Sequence, residues 1–209
     1  LQLLVSGISQ GCVYGLIALG FVLIYKATEM VNFAQGDMMM IGAFVAFTFT
    51  NEMNLHFFYG VVLTLFSMAL FGMLVERLLL RPMIGEPPFA VLMLTIGLGF
   101  ILRAVAGTIW GSEPRTLNSP FSGGVFRAGD LIIGYENLTI VVGTALLCLL
   151  LFLFFRYSRL GVAMQAASQN QLAAYYVGIP VKRIFALVWA LSAMISAAAG
   201  ILVAPVSLV

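Results

Sequence analysis

The sequence predicts an all-α protein, a polytopic transmembrane bundle with about six spans in this fragment. Of its 209 residues, 62% are hydrophobic and only 9% are charged, whereas roughly 25% are charged in soluble domains. Ten Lys and Arg with eight Asp and Glu are too few to cover a soluble fold of this length. The mean hydropathy of +1.10 agrees with this, and long apolar runs recur along the chain.

The composition also excludes other classes of protein. A net charge of +2 is too small for a nucleic-acid-binding surface. Cys12 and Cys148 both lie in apolar runs, so we expect neither a disulfide framework nor a zinc site. No removable signal peptide is evident. We expect one transmembrane domain over residues 1–209, trimmed or fragmentary at its ends.

Six apolar segments have the length of a membrane span. A helix needs roughly 20 mostly apolar residues to cross about 30 Å of hydrocarbon. The predicted spans are residues 3–25, 33–50, 57–75, 90–109, 138–155 and 184–203. The connection 110–137 is expected outside the cell. Its apolar segments 125–127 and 131–133 flank Ala128-Gly129-Asp130 and are compatible with a hairpin.

The basic residues predict the orientation of these spans. If the loops alternate between the two sides, one side carries Lys26, Arg77, Arg81, Arg156, Arg159, Lys182 and Arg183, and the other carries Arg115 and Arg127. Cytoplasmic loops are enriched in Lys and Arg. We therefore expect the amino terminus outside and the 156–183 loop in the cytoplasm.

Small residues recur at every fourth position in two spans. The first span carries Gly7, Gly11 and Gly15, and the sixth carries Ser192, Ser196 and Gly200. Such stripes allow membrane helices to approach closely. They predict helix packing, which is compatible with a bundle around a path but does not establish one.

The segment 30–37 has the features of a helix start. Asn32 and Gln35 have the spacing of a capping box, and Gly36 and Asp37 follow in the first turns, where the helix dipole favours an anion. Transporters hold substrate carboxylates at such helix ends. The alternative is that Asp37 caps a helix at the cytoplasmic interface. We take Asn32, Gln35, Gly36 and Asp37, with Thr95 and Gly97, as candidates for a substrate path.

Arg103 is a basic residue inside a predicted span. It lies six residues before Ile109, or about 9 Å of helix rise from the outer end. Snorkelling to the interface is one way to satisfy its charge.

The inner segment 165–178 predicts a short amphipathic helix parallel to the membrane. Met164, Ala167 and Gln171 recur at helical spacing, with Leu172 and Tyr175 nearby. Gly178 is placed as a helix C-cap. No Lys or Arg lies between Arg159 and Lys182, whereas helices that bind lipid headgroups are usually basic. This favours a protein partner over a bilayer.

The chain lacks the means to energise uphill transport by itself. It contains no G-x-x-x-x-G-K-[ST] phosphate loop. The predicted spans three to six carry no carboxylate away from their ends, so an ion relay is hard to build. Energy for uphill transport is therefore expected from another subunit.

Several motifs together resemble a known family, the membrane permeases of branched-chain amino-acid ABC importers of the LivH type. The resemblance covers essentially the whole chain, and Asn-Phe-Ala-Gln-Gly at residues 32–36 is its most specific part. The matching segments are residues 11–25, residues 31–37, Glu76-Arg77, Arg81-Pro82, residues 95–98, residues 156–161 and Gly178-Ile179.

The resemblance implies a set of partners. Such permeases pair with a related permease and sit on two cytoplasmic ATPases in a bacterial or archaeal plasma (inner) membrane. An extracytoplasmic binding protein delivers leucine, isoleucine or valine. No cofactor is expected in this chain, which is not expected to be an enzyme, because ATP and Mg²⁺ would bind the ATPases. The family continues with further spans beyond Val209.

The resemblance also implies that the loop 161–179 contains the coupling helix that contacts the ATPase. Ala173, Ala174 and Gly178 are similar to a signature of two alanines, three residues and a glycine. Leu172 stands where the wider signature has Glu. The expected contacts are Ala166, Ala167, Ser168, Asn170, Ala173, Ala174 and Gly178.

Three other interpretations stay open. The same scaffold serves relatives that carry urea, short amides or sugars. An ion-coupled secondary transporter or a channel would work without ATPases. A purely structural membrane subunit would not respond to substrate.

Overall fold

The computed structural model describes residues 2–111, 115–117, 119–121, 124–128 and 131–205. Within these ranges the chain forms eight α-helices and one two-stranded hairpin. The elements are α1 (Gln2–Thr28), α2 (Gln35–Phe47), α3 (Phe57–Val75), α4 (Pro88–Ile109), β1 (Val125–Ala128), β2 (Leu131–Gly134), α5 (Tyr135–Tyr157), α6 (Arg159–Gln169), α7 (Gln171–Tyr176) and α8 (Val181–Val203). Single π-helical turns extend α2 over Thr48–Glu52 and α3 over Glu76–Leu80.

Five of the described helices are long and apolar enough to cross a membrane, which confirms the all-α polytopic bundle. They are Leu3–Thr28, Phe57–Met83, Pro88–Ile109, Tyr135–Tyr157 and Val181–Val203. The predicted span 33–50 differs from the others. Its helix begins only at Gln35 and, with the π-helical turn, ends at Glu52, which is about 27 Å. The polar residues at both ends of this segment shorten its apolar stretch, and the segment is not among the five described helices that are long and apolar enough to cross a membrane.

Helix α8 lies at the centre of the fold. It packs against α1, α2 and α3, and 67% of its apolar stretch is buried, against 6% for α5. Trp189 is fully buried on it. Alanine, serine and glycine occupy most of its remaining buried positions. These small side chains let three helices approach one axis closely.

Glycines form the closest of these contacts. A Cβ on Gly42 would lie 2.5 Å from Cα of Ala197, and one on Gly72 would lie 2.5 Å from the carbonyl oxygen of Trp189. A Cβ on Gly200 would collide with the carbonyl oxygen of Met39. The predicted stripe on the sixth span is therefore used for packing.

The glycine stripe on the first span lies on an exposed face of α1. A Cβ on Gly7, Gly11 or Gly15 would meet nothing within 4 Å among the described residues, and all three glycines are exposed. This face of α1 points away from the bundle, so the packing predicted for it is not made within this chain.

The two ends of the bundle differ in charge and in structure. Lys26 lies in the last turn of α1, and Arg156 lies in the last turn of α5. Arg81 pairs with the buried Glu76 at 2.9 Å and also donates to the carbonyl oxygen of Lys182 at 3.4 Å. All seven basic residues that were assigned to one side lie at this end, with α6 and α7. We call it the α6–α7 end.

The opposite end carries the hairpin and is called the hairpin end. Strands β1 and β2 are antiparallel, with Val125 opposite Gly134 and Ala128 opposite Leu131. This confirms the hairpin with which the sequence is compatible. Residues 129 and 130, between the strands, lie outside the described residues.

We expect Gly200→Ala to destabilise the protein and Gly11→Ala to leave its stability nearly unchanged. The added methyl group at residue 200 must displace the backbone of α2, which costs about 1–3 kcal/mol in a packed core. At residue 11 it meets open space and changes stability by at most about 1 kcal/mol. Thermal unfolding in detergent, monitored by circular dichroism, measures both. Equal midpoints for the two variants would contradict the assigned α2–α8 contact.

Candidate functional site

Helix α2 begins near the middle of the bundle. The side-chain amide of Gln35 lies directly against Gly20, so closely that a Cβ there would collide with it. Gly20 is eight residues from the end of α1, or about 12 Å from the α6–α7 end. The chain therefore turns back after α1 and starts a new helix deep inside the fold. A non-helical backbone at this depth must be satisfied by protein groups.

A buried polar cluster surrounds this helix start. Gln35 donates from Nε2 to Ser196 Oγ at 2.6 Å, and its Oε1 accepts from Asn32 Nδ2 at 3.0 Å and from Ser192 Oγ at 3.2 Å. Ser192 Oγ also lies 2.9 Å from the carbonyl oxygen of Gly20. All four polar side chains are buried. The cluster therefore joins α2 to both α1 and α8.

The backbone before α2 is held by Asn32 and Thr95. Asn32 Oδ1 accepts from the N–H of Ala34 at 3.0 Å, and Thr95 Oγ1 accepts from the N–H of Phe33 at 3.3 Å. Ala34, whose side chain makes no cap, precedes the helix. The predicted capping box is therefore not formed. Gln35 Oε1 accepts from Asn32 Nδ2 and Ser192 Oγ and not from a backbone N–H. Asn32 Oδ1 accepts from the N–H of Ala34, which is an Asx turn just before the helix.

Asp37 on α2 and Arg103 on α4 form an ion pair between a buried carboxylate and an exposed guanidinium. Arg103 Nε donates to Asp37 Oδ1 at 2.6 Å, and the side chains are 65% and 10% exposed, respectively. The carboxylate packs on Gly99, where a Cβ would lie 2.5 Å from Oδ2. Gly99 is one helical turn from Arg103 towards the α6–α7 end. The guanidinium thus turns away from the hairpin end, so the snorkelling interpretation is wrong. The depth of α2 also rules out an interfacial cap at Asp37.

The six residues predicted for a substrate path occupy two environments. Asn32, Gln35, Asp37 and Thr95 are buried and meet around the start of α2. Gly36 is exposed and Gly97 is partly exposed, and a Cβ on either would meet nothing within 4 Å among the described residues. The structure thus places four of them around the start of α2 and leaves the two glycines on an outward surface.

Sequence reasoning missed several members of this region. Ser192 and Ser196 were identified only as small residues, although two hydroxyls one turn apart in an apolar helix also signal a buried hydrogen-bonding partner. Gly20 and Gly99 give no signal of their own. Their role follows from the side chains that pack against them.

A large groove lies elsewhere in the molecule. It has a volume of about 520 Å³ and is formed by α3, α5 and α8 near the hairpin end. Its lining is almost wholly apolar, as at Phe57, Leu146 and Ile201. Ser119, Glu136 and Thr139 are the exceptions in this lining, which is more apolar than expected of a site for a charged ligand. The groove is separate from the polar cluster.

The segment predicted to be one amphipathic helix forms two. Asn170 has an extended backbone (φ −157°, ψ 107°) that ends α6, and its side chain accepts the N–H of Ala173 to begin α7. At the other end of α7, Gly178 has φ +86°. The N–H of Gly178 binds the carbonyl of Tyr175 at 3.0 Å, and that of Ile179 binds Ala174 at 2.9 Å. This Schellman motif confirms the predicted C-cap.

The predicted coupling residues lie on both faces of α6 and α7. Ala167 and Ala174 are buried against the bundle, and Ser168 is half-buried. Ala166, Asn170, Ala173 and Gly178 are exposed.

The apolar side chains of α7 turn outward instead. Tyr176 is 81% exposed, and three other large apolar residues beside it are also exposed. Together they form what we call the α7 surface, which consists of Leu172, Tyr175, Tyr176 and Val177. Leu172 and Tyr175 therefore do not share the buried face of Met164 and Ala167.

The chain was compared with known proteins. Residues 3–208 match the family model described as the permease component of branched-chain amino acid transport systems. The high-affinity branched-chain amino acid transport system permease protein BraD of Pseudomonas aeruginosa is 31% identical, over 97% of this chain and 70% of its own length. LivH of Escherichia coli K12, which carries the same description, is 30% identical with the same coverage.

A more distant relative comes from an archaeon. The probable branched-chain amino acid transport permease protein LivH of Methanocaldococcus jannaschii is 28% identical, over 88% of this chain and 60% of its own length. No solved structure matches. The family match spans the five membrane-crossing helices, the polar cluster and α7 alike, and this chain therefore belongs to the family of branched-chain amino acid transport permeases.

Proposed function

We propose that this chain is the membrane-spanning subunit of an ATP-driven importer that moves branched-chain amino acids by alternating access. Family membership and the transport named for its relatives support the cargo. The α7 surface is the observation that carries the coupling to an ATPase. Its partners are two cytoplasmic ATPase subunits, a second related permease and an extracytoplasmic binding protein.

The α7 surface has the properties of a protein-docking surface. It groups two tyrosines with Leu172 and Val177 on a helix fixed at both ends by Asn170 and Gly178. Exposed apolar patches mark interaction sites, and tyrosine is enriched in protein interfaces. The segment 160–181 carries no Lys or Arg, so attraction to anionic lipid is not its source of binding. A protein of the ATPase class fits this surface.

The orientation follows from charge. The α6–α7 end carries seven basic residues, and cytoplasmic loops are enriched in such residues. We therefore place this end in the cytoplasm, where ATP is available, and the amino terminus outside. The bilayer is the plasma (inner) membrane of a bacterium or archaeon.

The start of α2 is the proposed substrate path. A helix terminus inside a membrane protein is typical of transport sites, and here Gly36 leaves an uncovered backbone beside the buried cluster. We assign the path to Asn32, Gln35, Gly36, Asp37, Thr95 and Gly97. The buried members hold the helix start in place, and the two glycines leave room beside it.

Uptake by the reconstituted assembly tests this function. Liposomes that contain the chain with its partner permease, ATPases and binding protein should accumulate leucine only when ATP is supplied. Flux through the chain alone, driven by an ion gradient and indifferent to ATP, would instead indicate a secondary transporter. Accumulation of urea, an amide or a sugar in place of leucine would assign the scaffold to a different cargo.

Tyr176→Ala should weaken association with the ATPases about tenfold, as expected when an aromatic residue at the centre of an interface is truncated. Tyr59→Ala is the matched control, because Tyr59 is also exposed but lies on α3 near the hairpin end. Co-purification and ATP hydrolysis by the assembly measure the effect. Equal association of both variants would contradict docking through α7.

Gly178→Val should uncouple leucine uptake from ATP hydrolysis, and Gly178→Asn should retain most of the coupling. A β-branched residue is strained at φ +86°, whereas asparagine tolerates this region. The strain of about 1–2 kcal/mol opens the end of α7. The ratio of leucine imported to ATP hydrolysed distinguishes the two variants, and a native ratio for Gly178→Val would argue against a rigid α7.

Gly36→Leu should lower leucine uptake severalfold without destabilising the chain. A leucine side chain has open space at this position and would fill the proposed path. The control is Gly7→Leu on α1, where an added Cβ also meets nothing within 4 Å among the described residues, and it is expected to leave uptake unchanged. Initial uptake rates and the thermal midpoints of both proteins provide the comparison. Native uptake by Gly36→Leu would remove Gly36 from the path.

A further inference from the structure

Arg103 lies in a membrane-crossing helix, where a charged side chain is energetically unfavourable, and most of its guanidinium is not paired within this chain. Its guanidinium has five N–H donors, of which Nε binds Asp37. Within the described part of the chain, this is the hydrogen bond that the guanidinium makes, and its two terminal nitrogens make none. The side chain is 65% exposed. An arginine in a span faces a water-filled cavity or a protein partner, because hydrocarbon would not accept it.

Asp37 fixes the direction of this guanidinium. The carboxylate is buried and packs closely against Gly99, so its position is set by the contact of α2 with α4. By binding Nε, it leaves the four N–H groups on Nη1 and Nη2 free for an outside ligand. A planar pair of terminal nitrogens matches a carboxylate, which binds with two parallel hydrogen bonds.

The surroundings favour an apolar ligand that carries a carboxylate. Phe100 lies on α4 beside Arg103, with its ring centre 5.9 Å from the guanidinium carbon, and its side chain is exposed. Gly36 is exposed next to Asp37, at the positive end of α2. The surface thus combines a cation with free donors, a helix N-terminus and an aromatic ring.

The charge balance selects among carboxylate ligands. Asp37 and Arg103 cancel each other, so a bare anion would leave one uncompensated charge in the membrane. A zwitterion has a carboxylate for Arg103 and carries its own compensating ammonium group. A neutral urea, amide or sugar can accept hydrogen bonds from these donors through its oxygen atoms, but it has no negative charge to pair with the guanidinium.

We propose that Arg103 binds the carboxylate of a zwitterionic amino acid during its passage, with Asp37 as the residue that positions the guanidinium. This inference rests on the proposed transport function and adds to it a specificity-determining residue outside the segment 32–37. It requires the cargo to be a free amino acid rather than a neutral solute.

The decisive experiment compares Arg103→Gln with the double variant D37N/R103Q in the reconstituted assembly. Arg103→Gln should reduce the kcat/KM for leucine uptake at least about tenfold, the loss expected for a hydrogen bond to a charged group. ATP hydrolysis stimulated by the binding protein should persist, because α7 is untouched. The single variant leaves Asp37 buried without its partner, so it is also expected to be less stable.

The double variant separates binding from stability. With both charges removed, its thermal midpoint should return towards the native value while leucine uptake stays low. Native uptake by D37N/R103Q would show that the pair is only structural and would overturn the proposal. The control is E52Q/R115Q, which removes an exposed pair at the hairpin end joined at 3.3 Å and should leave uptake unchanged.

The unmodified assembly distinguishes this inference from the proposed function. If it imports leucine and Arg103→Gln does so equally well, only the role of Arg103 falls. If it imports a neutral solute and no amino acid, the proposed cargo and the carboxylate site both fall.

Discussion

The hydrogen bonding of a helix that begins inside the bundle is the constraint on which the rest of this structure depends. The turn into α2 presents backbone N–H groups deep inside the fold, where protein groups must bind those that water does not reach. Asn32 and Thr95 accept two of these N–H groups. Gln35 then links the turn to Ser196 on α8. Each partner must lie within hydrogen-bond reach, so α1, α4 and α8 are drawn together around one point.

The small residues of α8 follow from the same constraint. A hydrogen bond of 2.6 Å between Gln35 and Ser196 requires the two helices to approach closely. Gly42 and Gly200 make that approach possible, because each lies against the backbone of the opposite helix. The close packing of α2 on α8 and the hydrogen bonds of the buried polar side chains therefore depend on each other. A larger side chain at either glycine would move the hydroxyls of α8 away from Gln35.

The sequence was sufficient for features that depend on local chemistry. Apolar length predicts five of the spans, turn-forming residues between apolar segments are compatible with the hairpin, and Gly178 predicts the end of α7. The path residues themselves stay a prediction. Features that depend on other helices were missed: the depth of α2 is set by Gly20 and Ser192, and the direction of Arg103 is set by Asp37, 66 positions away. The break at Asn170 was also missed, because α6 and α7 together keep one helical periodicity.

The short connection between α7 and α8 has a mechanical consequence. Only Val177, Gly178, Ile179 and Pro180 separate the two helices, and the cap at Gly178 together with the ring of Pro180 leaves this connection little freedom to stretch or swivel. We therefore expect a displacement of α7 to move the start of α8. Since α8 packs against α1, α2 and α3, we expect a displacement of α7 to shift the polar cluster, which lies about 20 Å away along α8.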